Sequence, residues 1–318
     1  VEPSMLERRN VDRCDWYIKS MEQHFLSYNP ECPVERFSEI YYNDRRKGMR
    51  LMTKDIKMLA IDLDGTLLHD DMSISPFTAD ILKKAWTKGI RIVFATGRMF
   101  CSARAKLLPL QLGDIPVVCY TGAWTARLES QQVISQDGIS PELAGEILAF
   151  ARDREWKVQT FINDYAYMAQ PDPLEQEYSQ YRIRKTIYTG EDFYHPAETV
   201  TRMIIVEKNL QKRDNIRKFL EDRFQDRISI VYPERIFIDI HKAGVSKANA
   251  IGVLAARWQI RPEQIAAFGN TENDISMLRY AGHSFAVANA EPVAKEAADK
   301  TIGSNNEDGV AHATILKL

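Results

Sequence analysis

The sequence predicts an α/β protein, a doubly wound parallel sheet with a smaller α+β domain inserted into it. Three features of the chain lead to that class. Apolar runs such as "KMLAIDL" (57–63) and "IRIVFA" (90–95) are nearly continuous, as strands buried on both faces of a parallel sheet are. Amphipathic helical patterns separate these runs at the spacing of strand–helix–strand units. Between about residues 127 and 239 the rhythm changes to closely spaced strand signals around two helical patterns, the texture of an insert with hairpin pairing.

Each element has a local reason. "SPFTADILKKAWTKG" (75–89) reads as a helix with Ser75 as N-cap, Pro76 at the first helical position and Gly89 just past the end. "IRIVFATGR" is a second strand closing in a tight turn, "SARAKLLPLQL" a helix and "IPVVCYTGAW" a third strand. The same grammar returns late: a helix over 246–258, the strand "QIAAFG", a helix over 272–281, the strand "HSFAVAN" and a helix over 291–299. In the insert, "PELAGEILAFARDRE" and "QKRDNIRKFLEDRF" read as helices. The segments "KVQTFIND", "AYMAQ", "TRMIIVE", "RISIVYP" and "RIFIDI" read as strands. The domains expected are therefore a core over 55–126 and 240–318, an insert over 127–239 and an N-terminal extension over 1–54. The extension lacks strand–turn rhythm; Tyr17, Met21 and Phe25 fall at helical spacing, so it is either an amphipathic arm or lies upstream of a start at Met49 or Met52.

The 318 residues carry a formal net charge of −2, which gives no bulk electrostatic case for nucleic acid or an anionic membrane. Cys14, Cys32, Cys101 and Cys119 form no CxxC pair, neither a zinc spacing nor a disulfide framework, so a reducing cytoplasm is the expected location. No apolar run approaches the roughly 18 residues that a membrane helix needs.

Four segments fall where strands of an open parallel sheet end, the usual place for a ligand. In "DLDGT" the carboxylates of Asp62 and Asp64 stand two residues apart, so on an extended chain both face one side. Two such charges about 4 Å apart repel by roughly 4 kcal/mol at an effective dielectric near 20. A hard cation such as Mg2+ would offset that, leaving one carboxylate as nucleophile and the other to move protons. Capping of a turn is the plainer reading of the pair. Thr96, Gly97 and Arg98 offer a hydroxyl and backbone N–H groups to a phosphoryl oxygen, or simply an N-cap. Lys247 follows the N-cap Ser246, where a helix dipole disfavours a cation; it either meets an anion or lies in solvent. Asn270, Asn273 and Asp274 in "GNTEND" can gather around a metal and a phosphate, or cap the next helix.

Taken together and in this order, the four segments resemble the haloacid dehalogenase superfamily, in particular its Cof-type branch with a cap between the second and third motifs. The resemblance covers about 57–126 and 240–318 and includes the tail "NNEDGVAHA". It implies a Mg2+-dependent phosphatase acting on a small phosphorylated metabolite, a sugar phosphate or phosphorylated cofactor. Asp62 would be the nucleophile and Asp64 the general acid and base. Thr96, Gly97, Arg98, Lys247 and Asn273 would hold the phosphoryl group, and Asp62, Asp64 (through its carbonyl), Asn270 and Asp274 the metal.

Two departures stand out. Many relatives have Gly-Asp where this chain has Gly269-Asn270, which removes one negative charge and predicts weaker metal binding unless Asp274 or Glu272 compensates. The family's Asn-Gly-Ala reads Thr121-Gly122-Ala123 here. A phosphomutase and a non-catalytic binding protein on the same scaffold are the competing readings. In the insert, Asn163, Asp164, Tyr165 and Tyr167 are candidate substrate contacts, or ordinary hairpin residues.

Overall fold

The computed structural model describes residues 56–173, 184–232 and 236–315. The N-terminal extension, with Tyr17, Met21, Phe25, Met49 and Met52, lies outside them. The described chain forms two sheets. β1 (Met58–Ile61), β2 (Arg91–Ala95), β3 (Pro116–Cys119), β4 (Trp124–Arg127) and β5 (Val133–Gln136) belong to the first. β6 (Lys157–Ile162), β7 (Tyr165–Met168), β8 (Ile187–Tyr188), β9 (Arg202–Val206), β10 (Ile228–Val231) and β11 (Phe237–Lys242) form the second. β12 (Ile265–Gly269), β13 (His283–Val287) and β14 (Lys300–Ile302) return to the first. The helices are α1 (Pro76–Thr87), α2 (Phe100–Leu107), α3 (Pro141–Asp153), α4 (Leu210–Phe224), α5 (Lys247–Arg257), α6 (Ile275–Tyr280), α7 (Pro292–Ala297) and α8 (Gly309–Ile315).

The first sheet runs β14-β13-β12-β1-β2-β3-β4-β5, parallel from β14 through β3 and antiparallel at β4 and β5. The chain leaves β1 toward β2 on one side and meets β12 on the other. That is a topological switch point, which opens a crevice at the carboxyl ends of β1 and β12. All four residues of β1 are buried, in keeping with a central strand covered on both faces.

Local chemistry explains the helix bounds. Ser75 Oγ accepts from Thr78 N at 3.0 Å, and Pro76 opens α1. Ser246 Oγ accepts from Asn249 N at 3.1 Å at the start of α5. Pro109 cannot extend an α-helix, so α2 tightens into a 3-10 turn over Leu108–Leu110. One expected element is corrected: "IPVVCYTGAW" is not a single strand. Tyr120, Thr121 and Gly122 take φ of 50°, 57° and 115°, which turns the chain back from β3 into antiparallel β4. The sequence reading begins the insert at 127, whereas β4 and β5 carry the first sheet to Gln136.

Side-chain alternation sets the two faces of the second sheet. Met203, Ile205, Ile238 and Ile240 pack with Ile216 and Leu220 of α4 in a cluster of their own. Phe161 and Ala166 point the other way and join the core of the first sheet, with Ile204 packed against it. That inward face also carries Arg202. Among the described residues no helix is long and apolar enough to cross a membrane.

Candidate active site

The four sequence segments converge at the carboxyl ends of β1, β2 and β12. Asp62 follows β1, its backbone N donating to Phe268 O of β12 at 3.0 Å. Gly65 then takes φ 67°, left-handed backbone that favours glycine, and an added Cβ there would lie 2.5 Å from Asn270 Nδ2, so the first and fourth segments approach closely at this residue.

Lys247, fully buried, donates from Nζ to Asp62 Oδ1 and to Asp274 Oδ1, each at 2.6 Å. Burial alone would push its ammonium down; Asp274 and then Asp62 more than offset this and hold it well above the ordinary lysine value. Burial pushes the Asp62 carboxyl up to about 7, with Asp274 adding to the rise and Lys247 opposing it. The helix dipole that makes a first-turn lysine unfavourable is thus answered by two carboxylates.

The second segment supplies the facing wall. Thr96 is buried, and its Oγ accepts from Arg98 N at 3.1 Å. A Cβ on Gly97 would lie 3.6 Å from Thr121 Oγ1 and 3.8 Å from Asn273 Nδ2, so Gly97 faces both the turn after β3 and the fourth segment. Asn273 Oδ1 accepts from Thr271 Oγ1 at 2.9 Å, which turns its amide nitrogen toward Gly97. Gly122 is as constrained as Gly65: its φ is 115°, and a side chain there would collide with the Ser246 carbonyl, just before Lys247.

Two expectations need correction. Arg98 does not stand free for a phosphoryl group. Its guanidinium forks onto Asp64, with Nε donating to Oδ2 at 2.7 Å and Nη2 to Oδ1, while Nη1 reaches Ser102 Oγ at 3.0 Å. Asp274 does not offer an oxygen to a metal. Oδ1 is taken by Lys247, and Oδ2 accepts from the backbone N of Asn270 at 2.8 Å and of Thr271 at 3.1 Å. Glu272, the other residue named above as able to compensate for Asn270, is exposed. Among the described residues no group of three or more His, Cys, Asp or Glu gathers at metal-binding spacing. Asn270 Oδ1 is different: it is buried and makes no hydrogen bond, an environment that fits a hard, oxygen-seeking cation.

Sequence reasoning missed what the tail does. Asp308 Oδ1 accepts from Ser75 Oγ at 2.6 Å, Thr78 Oγ1 at 2.8 Å and His69 Nε2 at 3.1 Å. Asn305 Nδ2 donates to Leu68 O and Asp70 Oδ1, each at 3.0 Å. The tail therefore braces the loop that follows Asp62 and Asp64. The signal in the sequence is a cluster of short polar side chains, which names no distant partner.

A buried lysine between the carboxylates of Asp62, after β1, and Asp274, just before α6, facing a hydroxyl-and-glycine turn across a switch point, is the arrangement of an α/β hydrolytic site. A family model described as haloacid dehalogenase-like hydrolase matches residues 59–314, and the chain belongs to that family. It is 29% identical over 266 residues to the 5-amino-6-(5-phospho-D-ribitylamino)uracil phosphatase YbjI of Escherichia coli strain K12, covering 80% of this chain and 93% of that one. A crystal structure from Thermotoga maritima superposes with a TM-score of 0.73 at 26% identity, over 82% of this chain and 97% of that one. A haloacid dehalogenase-like hydrolase from Bacteroides thetaiotaomicron gives a TM-score of 0.74 at 26% identity, over 83% of this chain and 100% of that one.

Proposed function

We propose that this hydrolase is a phosphatase that cleaves the monoester of a small phosphorylated metabolite, with the second sheet acting as a cap over the site. The observation that carries the reading is Lys247 Nζ held 2.6 Å from Asp62 Oδ1, with Asn273 Nδ2 and Gly97 facing each other nearby. A phosphoryl group entering between them meets one nucleophilic carboxylate and several donors, and positioning with charge neutralisation is most of what phosphoryl transfer requires.

An Asp62 oxygen attacks phosphorus, and the bond to the leaving oxygen breaks. Asp64, once released from Arg98 and protonated from solvent, gives that oxygen its proton and then takes one from the water that attacks phosphorus, which breaks the Asp62–phosphorus bond and frees inorganic phosphate. Lys247 and Asn273 hold the equatorial oxygens, and Thr96 fixes the turn that presents Gly97. The Asp62 carboxylate, the Asp64 carbonyl and Asn270 Oδ1 would hold Mg2+. When bound, it would neutralise charge on the phosphoryl oxygens. The Escherichia coli relative's named substrate carries a phosphorylated ribityl chain, which supports a phosphorylated polyol as the substrate class. The test is turnover of p-nitrophenyl phosphate with a divalent metal, compared with Asp62→Asn. Loss of about a thousandfold or more in the variant is expected for a missing nucleophile. Equal turnover by both proteins would end the proposal.

A further inference from the structure

Asp164 occupies the tip of the β6–β7 hairpin, where Asn163 and Asp164 take φ of 51° and 63°. It is 4% exposed, and its side chain enters the body of the first sheet. Oδ1 accepts from Phe100 N and from the Tyr120 hydroxyl, each at 2.8 Å, and Oδ2 accepts from Cys101 N at 3.0 Å. Arg184 Nη1 donates to the Asp164 carbonyl at 3.0 Å and lies 3.4 Å from Oδ2.

α2 lacks a cap of its own, for Met99 at the capping position makes no side-chain hydrogen bond. Asp164 supplies that cap from 64 residues away, with the charge sign that a helix N-terminus favours. α2 is the direct continuation of the Thr96-Gly97-Arg98 turn. Tyr120 joins the same assembly: its N donates to Arg98 O at 3.1 Å, and Thr121 N donates to Thr96 O at 3.0 Å. Burial, then Asp164, pushes the Tyr120 phenol well above its ordinary value, so it remains a donor throughout the working pH range. A second tie comes from β9. Arg202 Nη1 donates to Gly97 O at 2.7 Å, its guanidinium 5.1 Å from the Tyr120 ring centroid and 4.5 Å from that of Phe161. From the second sheet and its hairpin, Arg202 therefore holds the middle of the Thr96–Arg98 turn and Asp164 the first turn of the helix that continues it.

We propose that Asp164 is a positioning residue through which docking of the insert sets the Thr96–Arg98 turn for phosphoryl binding. The kinetic consequence rests on the phosphatase reading; the docking contact does not.

The test compares full-length wild type with Asp164→Ala and Asp164→Asn by residue-resolved hydrogen exchange, kinetics on p-nitrophenyl phosphate and inhibition by inorganic phosphate. In folded Asp164→Ala the amides of Phe100 and Cys101 should exchange at least about tenfold faster, having lost charge-assisted partners. The KM and the phosphate inhibition constant should rise about tenfold, and Asp164→Asn, which keeps an acceptor, should recover part of both. A purely structural role would lower the melting temperature and leave these constants of the folded enzyme alone. Exchange at both amides and phosphate inhibition within twofold of wild type in Asp164→Ala would overturn the proposal. If that variant does not fold, Tyr120→Phe, which removes one donor, carries the same measurements and the same criteria at smaller amplitude. Wild type without turnover would sink the phosphatase reading, while exchange at Phe100 and Cys101 would still judge Asp164.

Discussion

Replacing Lys247 with methionine keeps most of the side chain's length and removes its charge. Each ammonium–carboxylate contact, read at 2.6 Å, corresponds to about 6 kcal/mol of attraction at an effective dielectric near 20. Desolvation of three buried ions takes back much of that sum. What remains is the typical loss on breaking a buried pair, about 3–5 kcal/mol. For a folded region of this size each kcal/mol shifts the melting temperature by about 2–4 °C, so Lys247→Met should melt about 6–20 °C below wild type. Asp62 adds a pH dependence. Its carboxyl stands at about 7 against 3.8 for the free group, so its contribution to stability is present below 3.8 and lost as pH rises through 7. Without the lysine that rise steepens, and the deficit of Lys247→Met should be larger at pH 8 than at pH 5. The double variant Lys247→Met/Asp274→Asn removes one stranded charge and should regain much of the lost stability. Its turnover should stay about a hundredfold or more below wild type, for a missing charge on the phosphoryl oxygens. Melting of Lys247→Met within 2 °C of wild type at pH 8 would refute the reasoning.

Two further outcomes are expected. Asn270→Asp should restore a carboxylate beside Asp62 and lower the half-saturating Mg2+ concentration by about tenfold, read both by calorimetry and by activity; an unchanged calorimetric affinity would count against metal binding at this residue. Asp308→Asn should cost about 1–2 kcal/mol at neutral pH by weakening three hydrogen bonds, measured by urea unfolding. Burial would raise the Asp308 carboxyl, but Ser75, Thr78 and His69 more than offset it and hold it below 3.8. Its contribution is therefore present above that value and lost as pH falls through the lowered one, so the difference between the two proteins should shrink as pH falls below 3.8.

Much of this molecule was legible because its signals are local. Ser75 with Pro76, and Ser246 before Lys247, announce helix starts by chemistry that acts over three residues. The apolar run before Asp62 announces a covered strand in the same way. Pairings over long separations left no such mark. Nothing in "ATGR" shows that Arg98 would fork onto Asp64, 34 positions away, nor that Asp164 would cap α2. Asp274 misled for a related reason: an acid one residue after Asn273 looks equally suited to a metal or to a lysine. The choice depends on α5 bringing Lys247 alongside. The break after β3 was hidden because two of its three turn residues, Tyr120 and Thr121, adopt left-handed backbone that their types do not announce, leaving Gly122 as the single mark.

The brace between Asp308 and the Ser75–Thr78 turn spans 230 to 233 positions. A ribosome makes the aspartate pair long before its brace. The loop beyond Asp64 must wait, while both sheets are being made, for the groups that will hold it. Turnover should thus appear only once Asn305 and Asp308 are in place, and a stop after Ile302 but ahead of Asn305 would leave both sheets whole, the nucleophile present and its entrance loose.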